Sequence, residues 1–424
     1  MSGEVLGGLV QRGVLLKEQG RYPDAERCFR EAIGLNPEFS ELYFHLAFCL
    51  YAQDNHKAAL EVVEKAIQTD PSDGDNFALK AFILCSLRRK DEAVKMAEEA
   101  VGLNPFSSYA VVARTFVLLQ LEKWSEAETW ARRALELDPD NVTASNFLAQ
   151  ALRLQNKMQE NAEQIAYSLA KAPDNDDTHA AAGWSALQRG ERLTAETHFL
   201  EALRLDPNNP LARQGLLESY KARSPLYRVY LNYCFWMQRL NEKARWAVIL
   251  GLLVFMKVAS TILVGPWAVL YLPLAIVYLV FCLWVHVAGG VGNLILLTDR
   301  LARHALNPLE KWEGILVGGG VMLGLPFMAV SLIIDNAVLM TLSMVLVGVS
   351  FPLAYTLTNE SRIGQLLFGA IALLVLTAGA VNILLQLDPE RISGSLAKGL
   401  GTAAFISVIG TTWLANVPYL RRAP

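Results

Sequence analysis

Apolar and polar positions follow two regimes along this chain. From Leu6 to Asn209, small and large apolar residues alternate with charged ones at three- and four-residue steps, the spacing of amphipathic helices. The same arrangement returns every 34 residues. After about residue 245 the charged positions thin out and the apolar residues run together in stretches of about twenty, long enough for membrane-crossing helices. The pattern therefore predicts an all-α chain in two parts, a repeated array of short helices and a set of long apolar ones.

The repeat is marked most clearly by its prolines. Pro37, Pro71, Pro105, Pro139, Pro173 and Pro207 are each 34 residues after the last. Proline cannot continue a helix, so each marks the end of one helical pair and the start of the next. With that proline as position 32, the units begin at Leu6, Ser40, Gly74, Ser108, Val142 and Asp176. Position 8 is Gly13, Ala47, Ala81, Thr115, Ala149 and Gly183. Position 20 is Ala25, Ala59, Ala93, Ala127, Asn161 and Ala195, and position 27 is Ala32, Ala66, Ala100, Ala134, Ser168 and Ala202. Small residues recur where helices must approach closely, and Leu16, Leu50, Leu84, Leu118 and Leu152 recur between them.

These residues resemble the tetratricopeptide repeat family, whose pattern has small residues at positions 8, 20 and 27 and proline at 32. The resemblance spans about half the chain, residues 6–209 in six units. The fifth unit departs most, through Asn161 and Ser168. Pro210 to Ala222 would continue as a capping helix, closing a solenoid over residues 1–222. The resemblance implies a superhelical solenoid whose first helices line a concave groove with positions 2, 5, 9 and 12. Those positions supply Phe44, Phe48, Tyr51, Phe82, Tyr109, Val112, Phe116, Leu119, Trp184 and Leu187. The lysine, arginine and asparagine clamp of chaperone-binding members is absent, since Val10 and Val14 occupy positions 5 and 9 of the first unit. The aromatic residues read either as the lining of a groove for an apolar or amphipathic partner segment or as core between helices.

The joint at 223–245 is rich in aromatic residues and arginine. Leu226, Tyr230, Tyr233, Met237 and Leu240 fall on one helical face, which reads as an interfacial helix at a bilayer surface. Residues 246–424 then offer six candidate spans, at about 246–264, 267–288, 314–334, 337–358, 363–386 and 400–420. Gly265–Pro266 and Asp335–Asn336 make hairpin turns, and Gly289–Gly292 is expected to end the second span before a further interfacial helix from Leu294. Lys221, Arg223, Arg228, Arg239, Lys243, Arg245, Arg300, Arg303, Lys311, Arg362, Arg421 and Arg422 fall on one side, against Arg391 and Lys398 on the other. By the positive-inside rule both termini are cytoplasmic. Short loops and the lack of a cleaved signal point to a bacterial inner membrane, with lipids as contacts.

Charge and candidate chemistry change this picture little. A formal net charge of −3 carries no nucleic-acid signature, and the five scattered cysteines form no disulfide or metal pattern. No phosphate loop, nucleophile turn or histidine pair of metalloprotease type occurs, so neither an enzyme nor a cofactor is expected. Lys257 and His286 are the ionisable groups inside expected spans. Lys257 at mid-span costs about 2.5–3.5 kcal/mol on the insertion scale, which the aliphatic residues around it offset. Gly320 and Gly324 have the spacing of a close helix contact. The leading expectation is a membrane-anchored interaction scaffold. The alternative is a transport, channel or intramembrane-enzyme module regulated by the array. A structural subunit of a larger membrane complex is a third reading.

Overall fold

The computed structural model describes residues 2–263, 268–299, 302–359, 361–387, 394–415, 417 and 420. By contacts the chain divides into two units. One comprises Met1–Ala212 with Gln238–Asn241, the other Arg213–Met237 with Glu242–Pro424. Contacts thus group Arg213–Lys221 with the second unit, whereas the sequence reading carries the array to residue 222.

The first unit is six helical pairs. They are α1 (Ser2–Glu18) and α2 (Tyr22–Leu35), α3 (Ser40–Ala52) and α4 (His56–Thr69), α5 (Gly74–Ser86) and α6 (Lys90–Leu103), α7 (Ser108–Gln120) and α8 (Trp124–Leu137), α9 (Val142–Leu154) and α10 (Met158–Lys171), and α11 (Asp176–Gln188) and α12 (Arg192–Leu205). The turn inside every pair has one construction. Position 15 is left-handed in all six units, at Gly20, Asp54, Arg88, Glu122, Asn156 and Gly190. The next amide then reaches back to the carbonyl five residues earlier, as in Asn55 N–H to Leu50 O at 3.0 Å and Arg89 N–H to Leu84 O at 2.8 Å. This is a Schellman closure, which satisfies carbonyls that the helix end leaves open. The second helices stop before their prolines, where Asn36, Asp70, Asn104, Asp138 and Asp206 accept from the amide two residues on.

Within a pair, positions 8 and 24 divide one volume between them. Phe29 and Phe199 at position 24 are fully buried, and each faces a glycine at position 8. A Cβ on Gly13 would stand 2.8 Å from the Phe29 ring, and one on Gly183 2.5 Å from the Phe199 ring. In the other four units position 24 is Val63, Ala97, Ala131 or Ile165, and position 8 is alanine or threonine. The departures in the fifth unit also have partners. Asn161 Nδ2 donates to Ala149 O at 2.7 Å and its Oδ1 accepts from Ser185, while Ser168 and Ser145 bond through their hydroxyls at 2.7 Å. A polar seam therefore replaces alanine packing there, and its buried groups are satisfied as burial requires.

The second unit holds most of α13 (Pro210–Lys221) and α14 (Pro225–Arg239), then α15 (Glu242–Ile262), α16 (Ala268–Thr298), α17 (Pro308–Glu313), a π-turn at Gly314–Gly318, α18 (Gly319–Ile334), α19 (Ala337–Thr358), α20 (Arg362–Leu387) and α21 (Gly394–Leu414). Among the described residues, four helices are long and apolar enough to cross a membrane: Lys243–Ile262, Pro308–Ile334, Ala337–Thr358 and Arg362–Leu387. The expected spans at 267–288 and 400–420 include residues outside the description, as do Gly265, Pro266, Arg300, Arg391, Asn416, Arg421 and Arg422.

One expectation needs correction. Gly289–Gly292 does not end a helix, because α16 runs unbroken from Ala268 to Thr298. Its glycines serve packing instead. A Cβ on Gly290 would meet Val317 at 2.7 Å, and one on Gly314 would meet the Asn293 backbone at 2.9 Å. The two backbones therefore nearly touch, a crossing only glycine permits. In α14 the stripe buried within the protein is Tyr227, Leu231 and Phe235, while Leu226, on the face expected at a bilayer surface, is 60% exposed. Both stripes are apolar at helical spacing, so periodicity alone could not choose between them. Further along, Gly320 and Gly324 do pack closely on α19, facing Leu346, Ser350, Ser343 and Val347.

Candidate functional site

In the first unit, successive first helices pack on one another through α5, α7, α9 and α11, so their shared face runs as one surface. On that face the aromatic side chains form a ladder. Phe44 meets Tyr109 edge-on at 5.9 Å between ring centroids, and Tyr109 meets Phe82 at 5.7 Å. Phe82 also contacts Tyr51 at 6.5 Å and Phe116 at 5.1 Å, and Phe116 stacks on Phe147 at 5.6 Å. Phe44 and Tyr109 come from the second and fourth units, and Ala78 at position 5 of the third is too small to separate them. Each such pair contributes about 0.5–1.5 kcal/mol beyond its burial. Phe44, Phe48, Tyr51, Phe82, Tyr109, Phe116 and Phe147 all remain partly exposed, so the ladder is at once packed and presented.

Four residues predicted for the groove stand elsewhere, Leu187 among them at 4% exposure. Val112 and Leu119 are 3% and 4% exposed and lie beneath the rings, against Phe147 and Trp130, where they support the ladder. Trp184 packs edge-on against Phe199 at 5.7 Å and donates its indole N–H to Leu211 O at 3.1 Å, apart from the ladder. Phe147 was missed because it sits at position 6, off the counted positions.

The ladder has charged ends. At one, Lys17 lies over the Phe48 ring at 5.4 Å and 3.4 Å from His45 Nδ1. Six residues beyond Phe147 on α9 is Arg153, position 12 of the fifth unit, bonded to Gln188 Oε1 at 3.0 Å. Burial, and then the like charge of Arg239, lower the Arg153 guanidinium to about 10. Burial lowers Arg239 too, and its Nε is buried without a hydrogen-bond partner among the described residues. Gln238–Asn241 thus reaches the array with a second guanidinium at the same end. In between, burial and then Asp75 raise the Tyr109 phenol, so it stays a neutral donor.

His45 gives the array a pH dependence. Burial and then Lys17 lower its imidazole from 6.5 to about 4, and its ring stacks on buried Phe29 at 5.1 Å. The folded form keeps it neutral while the unfolded chain protonates it below 6.5. Stability is therefore lost as pH falls from 6.5 toward 4, by up to about 1.4 kcal/mol per pH unit. Thermal unfolding of the full chain in detergent across that window should fall less steeply for His45→Phe than for the native protein. Equal slopes would place the acid sensitivity elsewhere.

In the second unit, Lys257 is exposed on α15, whereas His286 Nδ1 bonds the Tyr355 hydroxyl of α19 and its ring lies 5.8 Å from that of Tyr355. Among the described residues there is no group of three or more metal-binding side chains.

The helical pairs, their turns and their shared face define the class: the first unit is an all-helical tetratricopeptide repeat solenoid. The tetratricopeptide repeat family model matches residues 10–74 and 117–176. No curated protein matches the chain. Solved structures similar to it include Pseudomonas aeruginosa PilF, at 20% identity over 50% of this chain and 97% of that one, with a TM-score of 0.39. YrrB, a repeat protein with an unusual peptide-binding site, has 23% identity over 44% and 96% and a TM-score of 0.31. The type IV pilus biogenesis factor PilW has 16% identity over 50% and 98% and a TM-score of 0.40.

Proposed function

We propose that this protein is a non-enzymatic, membrane-anchored scaffold whose aromatic groove holds an apolar or amphipathic segment of a partner protein. The observation that carries this reading is the continuous ladder from Phe44 to Phe147, whose rings are fixed by their neighbours yet keep part of their faces open. Rigid, half-exposed aromatics bind with little loss of side-chain freedom, which is why such residues dominate binding energy at interfaces. Arg153 and Arg239 at one end favour a partner segment that carries a carboxylate there. The four long apolar helices supply the anchor. The excess of lysine and arginine on one side supports a reading in which both termini and the array face the cytoplasm, and the short loops suit a bacterial inner membrane.

The test is purification of the full chain in mild detergent, native against a Phe48→Glu, Phe116→Glu double variant, with identification of what co-purifies. A burying partner should lose at least about 100-fold in affinity to the variant, since two aromatic anchors are replaced by charge. A partner retained equally by both proteins would move its seat off the groove. The transport or channel reading draws on one observation, the His286–Tyr355 pair inside the helical bundle. On that reading Tyr355→Phe would abolish an activity of the second unit while leaving groove binding unchanged.

A further inference from the structure

The glycine crossing of α16 with the helix that starts at Pro308 encloses a charged cluster that the groove does not use. Gly289, Gly292, Asn293 and Leu296 form one stripe of α16, at helical spacing. Glu313 lies against this stripe. It is 8% exposed, and its Oε1 would be 3.0 Å from a Cβ on Gly289. Its Oε2 accepts from Asn293 Nδ2 at 2.8 Å. On the other side of the stripe stands Lys221, also 8% exposed, whose Cδ would be 2.8 Å from a Cβ on Gly292. The π-turn begins at the residue after Glu313, and such turns interrupt the regular ladder of helical hydrogen bonds.

Counting charges across this cluster leaves it one positive charge short. Lys221 Nζ bonds Glu218 Oε1 at 3.1 Å, and the Tyr227 hydroxyl donates to Glu218 Oε2 at 2.9 Å. Lys221 bonds Glu218 and its charge also reaches Glu313, so one ammonium serves two carboxylates. Glu310, on the same short helix as Glu313, is matched by Arg213 at 2.5 Å. Among the described residues no ion pair is made to Glu313. An ionised carboxylate buried with no counter-charge of its own is strongly disfavoured. A second observation points to the same place. Asn293 is 3% exposed, its amide nitrogen is spent on Glu313, and its Oδ1 has no hydrogen-bond donor among the described residues. An anionic oxygen and an orphan carbonyl oxygen on two side chains in contact are the kinds of ligand a small cation takes.

We propose that Glu313 and Asn293 form a binding site for one small monovalent cation, a proton or an alkali-metal ion, held between the carboxylate and the amide oxygen. A single unmatched charge calls for a monovalent occupant; a divalent ion would need a second free carboxylate, and Glu218 and Glu310 are both engaged. In the proton case the carboxyl gains an O–H donor and the site becomes neutral. In the metal case the ion accepts lone pairs from Glu313 and Asn293 Oδ1. The site lies wholly in the second unit and does not depend on the groove.

The experiment is thermal unfolding of the full chain in detergent, followed by the fluorescence of its nine tryptophans. Sodium chloride is compared with N-methylglucamine chloride at equal ionic strength, each at an acidic and an alkaline pH. A site ligand raises the midpoint by mass action, by a few degrees at saturating concentration. Glu313→Gln keeps the shape and removes the charge, so its midpoint should lose that dependence. Asn293→Ala should need a higher cation concentration for the same shift. A sodium-specific rise lost in Glu313→Gln assigns a metal ion. A rise on acidification relative to that variant assigns a proton. The fall in midpoint that His45 causes below pH 6.5 is common to both proteins, so a native midpoint that gains nothing from sodium and, relative to Glu313→Gln, nothing from acid overturns the proposal, as does a sodium dependence that Glu313→Gln retains. If neither variant folds, radiolabelled-sodium binding and the infrared carbonyl band of a protonated carboxyl decide it on the native protein, and the absence of both overturns it.

Discussion

Gly318→Ala should destabilise the second unit severely, while Gly319→Ala, one residue on, should be neutral. A Cβ on Gly318 would strike the Gly290 carbonyl and stand 2.8 Å from Leu294 Cβ, whereas one on Gly319 meets nothing within 4 Å. The obstacle at Gly318 is largely backbone, so no rotamer change relieves it and the helices must separate. That cost sits at the upper end of overpacking, about 3 kcal/mol. Separating them also removes contacts of the core formed by Val287, Val291, Val317 and Val321. Midpoints of thermal unfolding in detergent, with size-exclusion profiles, measure the difference. Two variants with the same midpoint would mean that the crossing is looser than described.

The second large effect is expected in the sixth repeat. Phe199→Ala empties a fully buried site and should cost about 3–5 kcal/mol. Gly183→Ala should also destabilise, by about 1–3 kcal/mol, because its methyl group would lie 2.5 Å from the Phe199 ring. The double variant Gly183→Ala, Phe199→Val recreates the Ala47 and Val63 pair that the second repeat already carries. It should be more stable than the two single costs predict, since the new methyl group fills space the ring vacated. Denaturant or thermal unfolding of the four proteins completes the cycle. Strict additivity would refute the shared-volume account.

The array was legible because one structural rule is written six times over. Pro37 and its five successors gave the period, and the small residues at position 8 could be read from any unit. What remained hidden depends on neighbours distant in sequence. Phe147 joins the ladder through Phe116, and Val112 is covered by Phe147 and Trp130, so position within a unit decides neither fate. In α14 two apolar stripes compete, and a partner surface from another part of the chain selects Tyr227, Leu231 and Phe235. Gly289–Gly292 reads as a helix end by propensity, yet close packing against Val317 and Gly318 makes the same glycines the centre of one. Glu313 is not legible in the sequence, because a lone glutamate near a span boundary has nothing around it to mark it as buried.

The polar seam of the fifth repeat also bears on how the array finds its order. Six units of one length could stack out of sequence, since alanine at positions 20 and 27 fits alanine from any neighbour. Asn161 does not permit this. Its side chain bonds Ser185, at position 10 of the following unit, and the other units carry Leu15, Cys49, Ile83, Val117 and Ala151 there. Any slipped or swapped arrangement would leave a buried amide facing a hydrocarbon or a thiol, at a cost of about 1–3 kcal/mol. One hydrogen bond thus acts as a key that only the sixth unit fits, and it tells otherwise interchangeable modules which of them comes last.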